Sequence, residues 1–362
     1  MATLPLGPPA AHPRRRLLLG AAATLALAGL SPPRARASAA PRIAHVMSFD
    51  SPWRWTDGQL EGFRESLALP AADIRVFQMD VKRHASDEAK TERGRLARAF
   101  IDDFRPQLLY CSDDDAQQHV ARHYLGTALP LVFSGVNRDP QAHGFEGAPN
   151  VTGVLEREHV PETLRLLREL VPGLRRLTVL SDHGAYWDAV VGRVQEGAAA
   201  IPGLAPVQVV RTHHYAEYQQ AILAAQPGAE GAERPAQADA LLHLGILTLV
   251  DSAGRPVPYQ TVQRWVVEHS QLPDASFWLD RIHHGTLASV TVSELAQGRA
   301  AGRLARAILV DGVAPASLPM RPTAQGQPTI SLRRARALGL VVRSTQLLQS
   351  HIVRHYEWEP RS

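Results

Sequence analysis

The chain of 362 residues has a single cysteine, Cys111. One thiol forms no internal disulfide, so the fold has to stand on its hydrophobic core. Acidic residues are missing before Asp50. Apolar runs of membrane length are also missing: the longest, 17–30, covers 14 residues, and a bilayer needs about 20. There is no G-x-S-x-G elbow, no P-loop and no H-E-x-x-H. With no positioned nucleophile and base in the sequence, the chain reads as a non-enzyme without a cofactor. With 16 His but one Cys, a structural zinc site is not expected. His213-His214 and His283-His284 are adjacent pairs, whose side chains diverge in helices and strands alike.

What stands at the N-terminus is a targeting pattern. Arg14-Arg15-Arg16 precedes the 17–30 run, and Ala35-Arg36-Ala37 and Ala37-Ser38-Ala39 offer small-x-small cleavage points. A basic region, an apolar region and a small-residue site describe a removable export signal. The order Arg14-Arg15-Arg16-Leu17-Leu18 fits a twin-arginine signal and equally a Sec signal with an extra Arg. Removing 1–39 changes the charge. Five of the 39 basic residues (Arg14, Arg15, Arg16, Arg34, Arg36) leave with it and no acid does, so 34 bases face 35 acids, a formal net of −1. The basic balance of the precursor therefore gives no support for nucleic-acid binding or an anionic membrane partner. The expected location is the periplasm.

Short apolar runs then alternate with amphipathic stretches. Strands are expected at 42–49, 74–79, 107–111 and 129–134, with helices at 56–69, 86–104 and 116–125 between them. The pattern restarts with a helix at 160–170, strands at 176–181, 206–211, 240–244, 275–278 and 287–292, and helices at 187–200, 215–224 and 259–270. Residues 228–237 are rich in Gly, Pro and Glu and read as a solvated loop. A long helix at 295–310, a strand at 329–332, a helix at 333–338 and a last helix at 345–355 complete the chain. Repeated βα units predict an α/β fold: two doubly wound parallel-sheet lobes with an interlobe ligand cleft. The divisions expected are 1–39 for the signal, 40–152 for lobe I, 153–284 for lobe II, and 285–362 returning to lobe I and crossing between lobes.

Three segments carry a resemblance. Pro130–Phe133, Asp139-Pro140, Asn150–Gly153 and Pro172 follow one another in the order of a strand, a loop, an N-V-T-G segment and a helix ending at proline. Residues 285–313 carry a strand, Gln297-Gly298 and a helix ending at Asp311-Gly312. Ala337-Leu338-Gly339-Leu340 precedes Leu347-Leu348. Together they span most of 43–352, and the chain resembles the substrate-binding proteins of ABC transporters, with the type 1 periplasmic-binding fold. That resemblance implies a two-lobed receptor that closes on a small molecule and docks on an inner-membrane permease; a monomer is expected. Similar modules also serve as sensors feeding a membrane kinase or cyclase. An exported α/β enzyme is the remaining alternative.

Loops that follow strands are where a ligand would sit. Asp50, Trp53 and Trp55 follow the first strand; two Trp and an acid suit ring stacking and an ammonium partner, and equally a packed loop. Ser112, Asp113 and Asp114 follow the third. Three successive acids, Asp113 to Asp115, exceed the needs of one helix cap. Ser134, Gly135 and Asn137 follow the fourth, where turn chemistry is an equal reading. In the second lobe Tyr186, Trp187, Trp278 and Asp280 hold corresponding positions. An aromatic and an acid on each lobe lean toward an amino acid or amine. Glu156 and Glu158 read as a solvated helix start.

Overall fold

The computed structural model describes residues 40–227, 238–324 and 326–359. The expected export signal and the 228–237 loop lie outside these residues. The first lobe opens with β1 (Arg42–Met47), α1 (Arg54–Leu67), β2 (Asp73–Gln78), α2 (Asp87–Phe104), β3 (Leu108–Ser112), α3 (Asp114–His119), β4 (Leu131–Val136) and β5 (Val151–Leu155). The chain crosses into the second lobe for α4 (Val160–Leu170), β6 (Leu177–Ser181), α5 (Trp187–Ala199), β7 (Gln208–Arg211), α6 (Tyr215–Ala225), β8 (Ala240–His243), α7 (Tyr259–His269), β9 (Asp274–Ala275), α8 (Leu279–His283) and β10 (Ala288–Thr291). It returns to the first lobe for α9 (Glu294–Leu309) and β11 (Arg321–Pro322). A third crossing leads to β12 (Gln327–Ser331), α10 (Leu332–Ala337), α11 (Ser344–Gln349) and β13 (His351–Val353). Among the described residues no helix is long and apolar enough to cross a membrane.

The first sheet runs β11-β5-β4-β3-β1-β2, and the second β13-β12-β10-β9-β8-β6-β7. All pairings are parallel except β10 with β12. The strands of β3, β4 and β5 are buried along their whole length, as befits a sheet covered on both faces. This explains their mostly apolar character, which lacks the alternation of a one-sided sheet, with Ser112, Ser134 and Thr152 as buried polar exceptions. Side-chain caps help fix where helices begin: Ser86 Oγ accepts from Ala89 N at 3.2 Å, and Ser293 Oγ from Ala296 N at 3.2 Å. Each such cap contributes about 1 kcal/mol.

Several boundaries differ from the sequence reading. The first lobe continues past 152, because β5 pairs with β4 as far as Leu155. Residues 285–362 split between the lobes: β10, β12 and β13 belong to the second sheet, and only α9 and β11 return to the first. The helix expected at 116–125 stops at His119 and gives way to a 3₁₀ turn at Ala121–Tyr124. The last helix ends at Gln349, because Ile352 and Val353 pair in parallel with Ile330 and Ser331. β-branched side chains favour that pleated edge over a helical turn.

Candidate functional site

Within each lobe the core strand order repeats. It is β2-β1-β3-β4-β5 in the first and β7-β6-β8-β9-β10 in the second. In this winding the connections leave in opposite directions from β1 and β3, and from β6 and β8, so a crevice opens at the carboxyl ends of those strands. The two crevices face one another. Between them lies a tight cavity of about 50 Å³. Phe49, Trp53 and Trp55 after β1, Asp113 after β3, Gly135 and Asn137 at β4 and Glu156 after β5 line one side; Tyr186 and Trp187 after β6, Leu247 after β8, and Trp278, Asp280 and Arg281 after β9 line the other.

Four of the six Trp converge there. Trp53 meets Phe49 edge-on at 5.0 Å, and Lys82 Nζ sits over its ring at 4.1 Å. Asp50 does not reach the cavity. Its carboxylate binds Lys82 at 2.8 Å and Arg83 at 3.1 Å. Burial works against its charge, yet those two cations hold the Asp50 carboxyl below its ordinary range. Asp50 therefore fixes the lysine beneath Trp53. Across the cleft, Trp187 packs on Tyr186 at 4.8 Å and edge-on to Trp278 at 5.5 Å. The Trp187 indole N–H has no partner among the described residues.

Ser112 and Ser134 also lie outside the lining, both fully buried. Ser112 faces His45 Nε2 at 3.2 Å, and its carbonyl accepts from Ser48 Oγ at 2.8 Å. Ser134 bonds Tyr110 Oη at 2.6 Å and donates to Gln59 Oε1 at 2.5 Å. Side chains alternate along a strand, so the neighbour of a cleft-facing residue points into the core. Gln59, oriented by Ser134, in turn donates to Asp113 Oδ1 at 3.3 Å.

The three acids have three fates. Asp114 accepts from Asn137 N at 2.9 Å, Arg138 N at 3.2 Å and His143 Nε2 at 2.9 Å, so it anchors the loop after β4. Asp115 pairs with Lys90 at 3.2 Å. Asp113 receives Trp55 Nε1 at 2.6 Å. None of the three caps α3 through its side chain. Asp113 sits at φ 66°, ψ 165°, a region that costs a non-glycine residue on the order of 1–3 kcal/mol. Held strain of this kind, in a cleft, points to a side chain whose direction matters. Gly135 lies beside it at φ 68°, and a Cβ there would come within 2.6 Å of Asp113 Oδ1.

Glu156 and Glu158 are buried, contrary to a solvated helix start. They occupy the first crossing between lobes, where both lobes cover them. Glu156 accepts from Asn137 Nδ2 at 3.0 Å in its own lobe and from Trp278 Nε1 at 2.6 Å in the other. Glu158 receives Arg193 from α5 at 2.8 Å, and the same guanidinium donates to the Asn137 carbonyl at 3.1 Å. The loop after β6 is held by Asp182, which accepts from Gly184 N, Leu247 N and Thr248 N at 2.9, 2.9 and 3.1 Å. Arg281 was not singled out from the sequence, although it adjoins Asp280 in a loop after a strand. It is buried, its guanidinium lies 5.2 Å from the Tyr259 ring centre, and its Nη1 has no partner among the described residues. Asp280 Oδ2 is likewise unpartnered.

Burial, against the two donated hydrogen bonds and helped by the charges of Asp114 and Asp115, pushes the Asp113 carboxyl up to about 8. Burial and the Glu158 charge raise Glu156 well above the ordinary carboxylate range. The cavity thus joins aromatic faces, buried acids short of cations and one buried guanidinium. Among the described residues no three His, Cys, Asp or Glu side chains are grouped so as to hold a metal ion.

No family model matches the sequence, and no curated protein does. Solved structures do match. The ABC domain of a Streptococcus pneumonia protein in complex with L-Trp is 18% identical with a TM-score of 0.68, over 87% of this chain and 100% of that one. A conserved domain protein of Vibrio cholerae is 17% identical, TM-score 0.66, over 87% and 99%. The ligand-free, open form of a substrate-binding protein with adhesive properties from Clostridium difficile is 16% identical, TM-score 0.63, over 87% and 99%. The chain has the fold of the ABC-transporter solute-binding proteins, the type 1 periplasmic-binding fold.

Proposed function

We propose that this chain is an exported solute-binding protein that captures a small amine-bearing molecule, an amino acid or an aromatic amine, between its two lobes. One observation carries the reading: four Trp, two buried carboxylates with no cationic partner among the described residues and the Arg281 guanidinium converge on one interlobe cavity. Indole faces suit an aromatic or aliphatic side chain and attract a cation. Asp113, Glu156 and Asp280 suit an ammonium group, and Arg281 a carboxylate. A sugar would want many paired neutral donors and acceptors; this cavity offers chiefly rings and charge. Members of the same fold bind tryptophan in one case, in keeping with the aromatic lining.

The mechanism is capture by closure. Each lobe holds half of the contacts, so the ligand binds the closed form more tightly than the open one and shifts the population toward it. Closure brings both lobes into one surface for an inner-membrane ABC permease, and no bond is made or broken. The N-terminal targeting pattern supports work in the periplasm.

A thermal-shift and calorimetric screen of the chain from residue 40 against amino acids, aromatic amines, sugars and oxyanions tests this. Stabilisation by an amino acid or amine is expected. Binding confined to a sugar or oxyanion, or turnover of whatever binds, would overturn it.

A further inference from the structure

Asp113 and Glu156 share one feature beyond facing the same cavity. Each receives one indole N–H and one neutral amide: Trp55 at 2.6 Å and Gln59 at 3.3 Å for Asp113, Trp278 at 2.6 Å and Asn137 at 3.0 Å for Glu156. The cations nearby are engaged elsewhere. Arg193 holds Glu158, Arg157 holds Asp139 at 3.0 Å, Lys90 holds Asp115, and Arg54 holds Glu357 at 3.4 Å, while the His143 ring is spent on Asp114 as a hydrogen-bond partner. From α9 and α8 the cavity faces Glu294 and Asp280, two more acids, against Arg281 from α8 and Arg54 from α1, whose guanidinium pairs with Glu357; Tyr186 completes the wall. A buried carboxylate with neutral donors and acidic neighbours is costly as an anion and binds a proton instead.

We infer that capture of an amine-bearing ligand ionises the Asp113–Glu156 pair, so that binding expels a proton to solvent and acidification ejects the ligand. The inference rests on the amine reading above. The balance is simple. A carboxylic acid in the empty cleft and an alkylammonium ion in solution become a carboxylate–ammonium pair and one released proton. No bond other than the O–H breaks. The direction follows from the burial that raises both acids: the ammonium supplies the charge that the cleft lacks and lowers them again. The Asp113 charge adds to the burial and the Glu158 charge that raise Glu156, so ionising one acid makes the other harder to ionise.

The test is calorimetry of L-tryptophan, L-tyrosine, L-phenylalanine, tryptamine and phenylethylamine in buffers of different ionisation enthalpy at pH 7, with Kd measured from pH 5.5 to 8.5. Release of close to one proton is expected, and Kd should weaken by up to about tenfold for each pH unit lost below 8. Asp113→Asn and Glu156→Gln should each reduce the proton count and flatten the profile. Binding with no proton released and a flat profile in the native protein overturns the inference and leaves the binding reading intact. No binding of any of these amines at any pH overturns both.

Discussion

Asp113 is the residue on which local strain, burial and hydrogen bonding meet. Its left-handed backbone and the close approach of Gly135 belong together. In Gly135→Ala the new methyl would press on the Asp113 carboxylate and take up a disfavoured φ. Stability to urea is expected to fall by about 1–3 kcal/mol, with ligand affinity falling alongside. Asp113 also has a consequence for pH. Its folded value, raised above the ordinary one by burial, means that the folded state holds the proton more tightly than the unfolded chain. The stability this contributes is complete below about pH 4 and is lost as pH climbs through about 8. The ligand-free protein should therefore lose stability from this group between those limits, and Asp113→Asn should remove that part of the slope in melts recorded across pH. At Arg281 the expectation concerns selectivity. Arg281→Gln should weaken L-tryptophan more than tryptamine, since only the first presents a carboxylate to the missing guanidinium; equal losses measured by calorimetry would count against that contact.

The helix pair α1 and α9 positions much of the first-lobe wall. Trp55 and Gln59 stand on α1, and Glu294 and Gln297 on α9; Gln297 Oε1 accepts from Gly135 N at 3.1 Å. The two helices touch backbone to backbone because glycines line the seam. A Cβ on Gly62 would lie 2.2 Å from the Leu295 carbonyl oxygen, and one on Gly298 2.0 Å from that of Gln59. No side-chain rotation relieves a clash with backbone. Gly298→Val should part the helices, lower stability by about 1–3 kcal/mol as overpacking does, and displace Gln59 from Asp113. A thermal melt and a binding titration together would show both effects. In the second lobe the counterpart is buried Arg334, which ties α10 to Asp274 at 3.3 Å and to the carbonyls of Val267 and Ser270, both at 3.1 Å.

At the scale of the whole molecule, three chain crossings join the lobes, and the first is also part of the site. Arg193 reaches from α5 to Glu158 in that crossing and to the Asn137 carbonyl in the first lobe. The pair is shielded and its loss leaves Glu158 buried without a cation. Arg193→Ala should weaken ligand binding by about tenfold or more, mainly through faster release. In solution scattering, ligand should shrink the native protein, and the variant should need more ligand for the same compaction. On export, the chain recovered from a periplasmic fraction is expected to begin at Ser38 or Ala40, which N-terminal sequencing would read directly.

Periodicity and composition by themselves determined the α/β class, the two lobes and most helices and strands, because burial on both faces writes an apolar run for each strand and a 3.6-residue stripe for each helix. They also pointed to the loops after strands as the site, since a parallel sheet leaves its crevice at the carboxyl ends. Tertiary structure decided which residues in those loops turn inward. Asp50, Ser112 and Ser134 were indistinguishable in sequence from Trp53, Asp113 and Gly135, and a one-residue difference along a strand or the presence of Lys82 sent them elsewhere. Glu156 and Arg281 were the reverse: a polar residue near a helix start looks solvated until the second lobe covers it. Pairing across lobes, such as Trp278 with Glu156 over 122 positions of sequence, has no local signature, because it is set by how two separately wound sheets face each other.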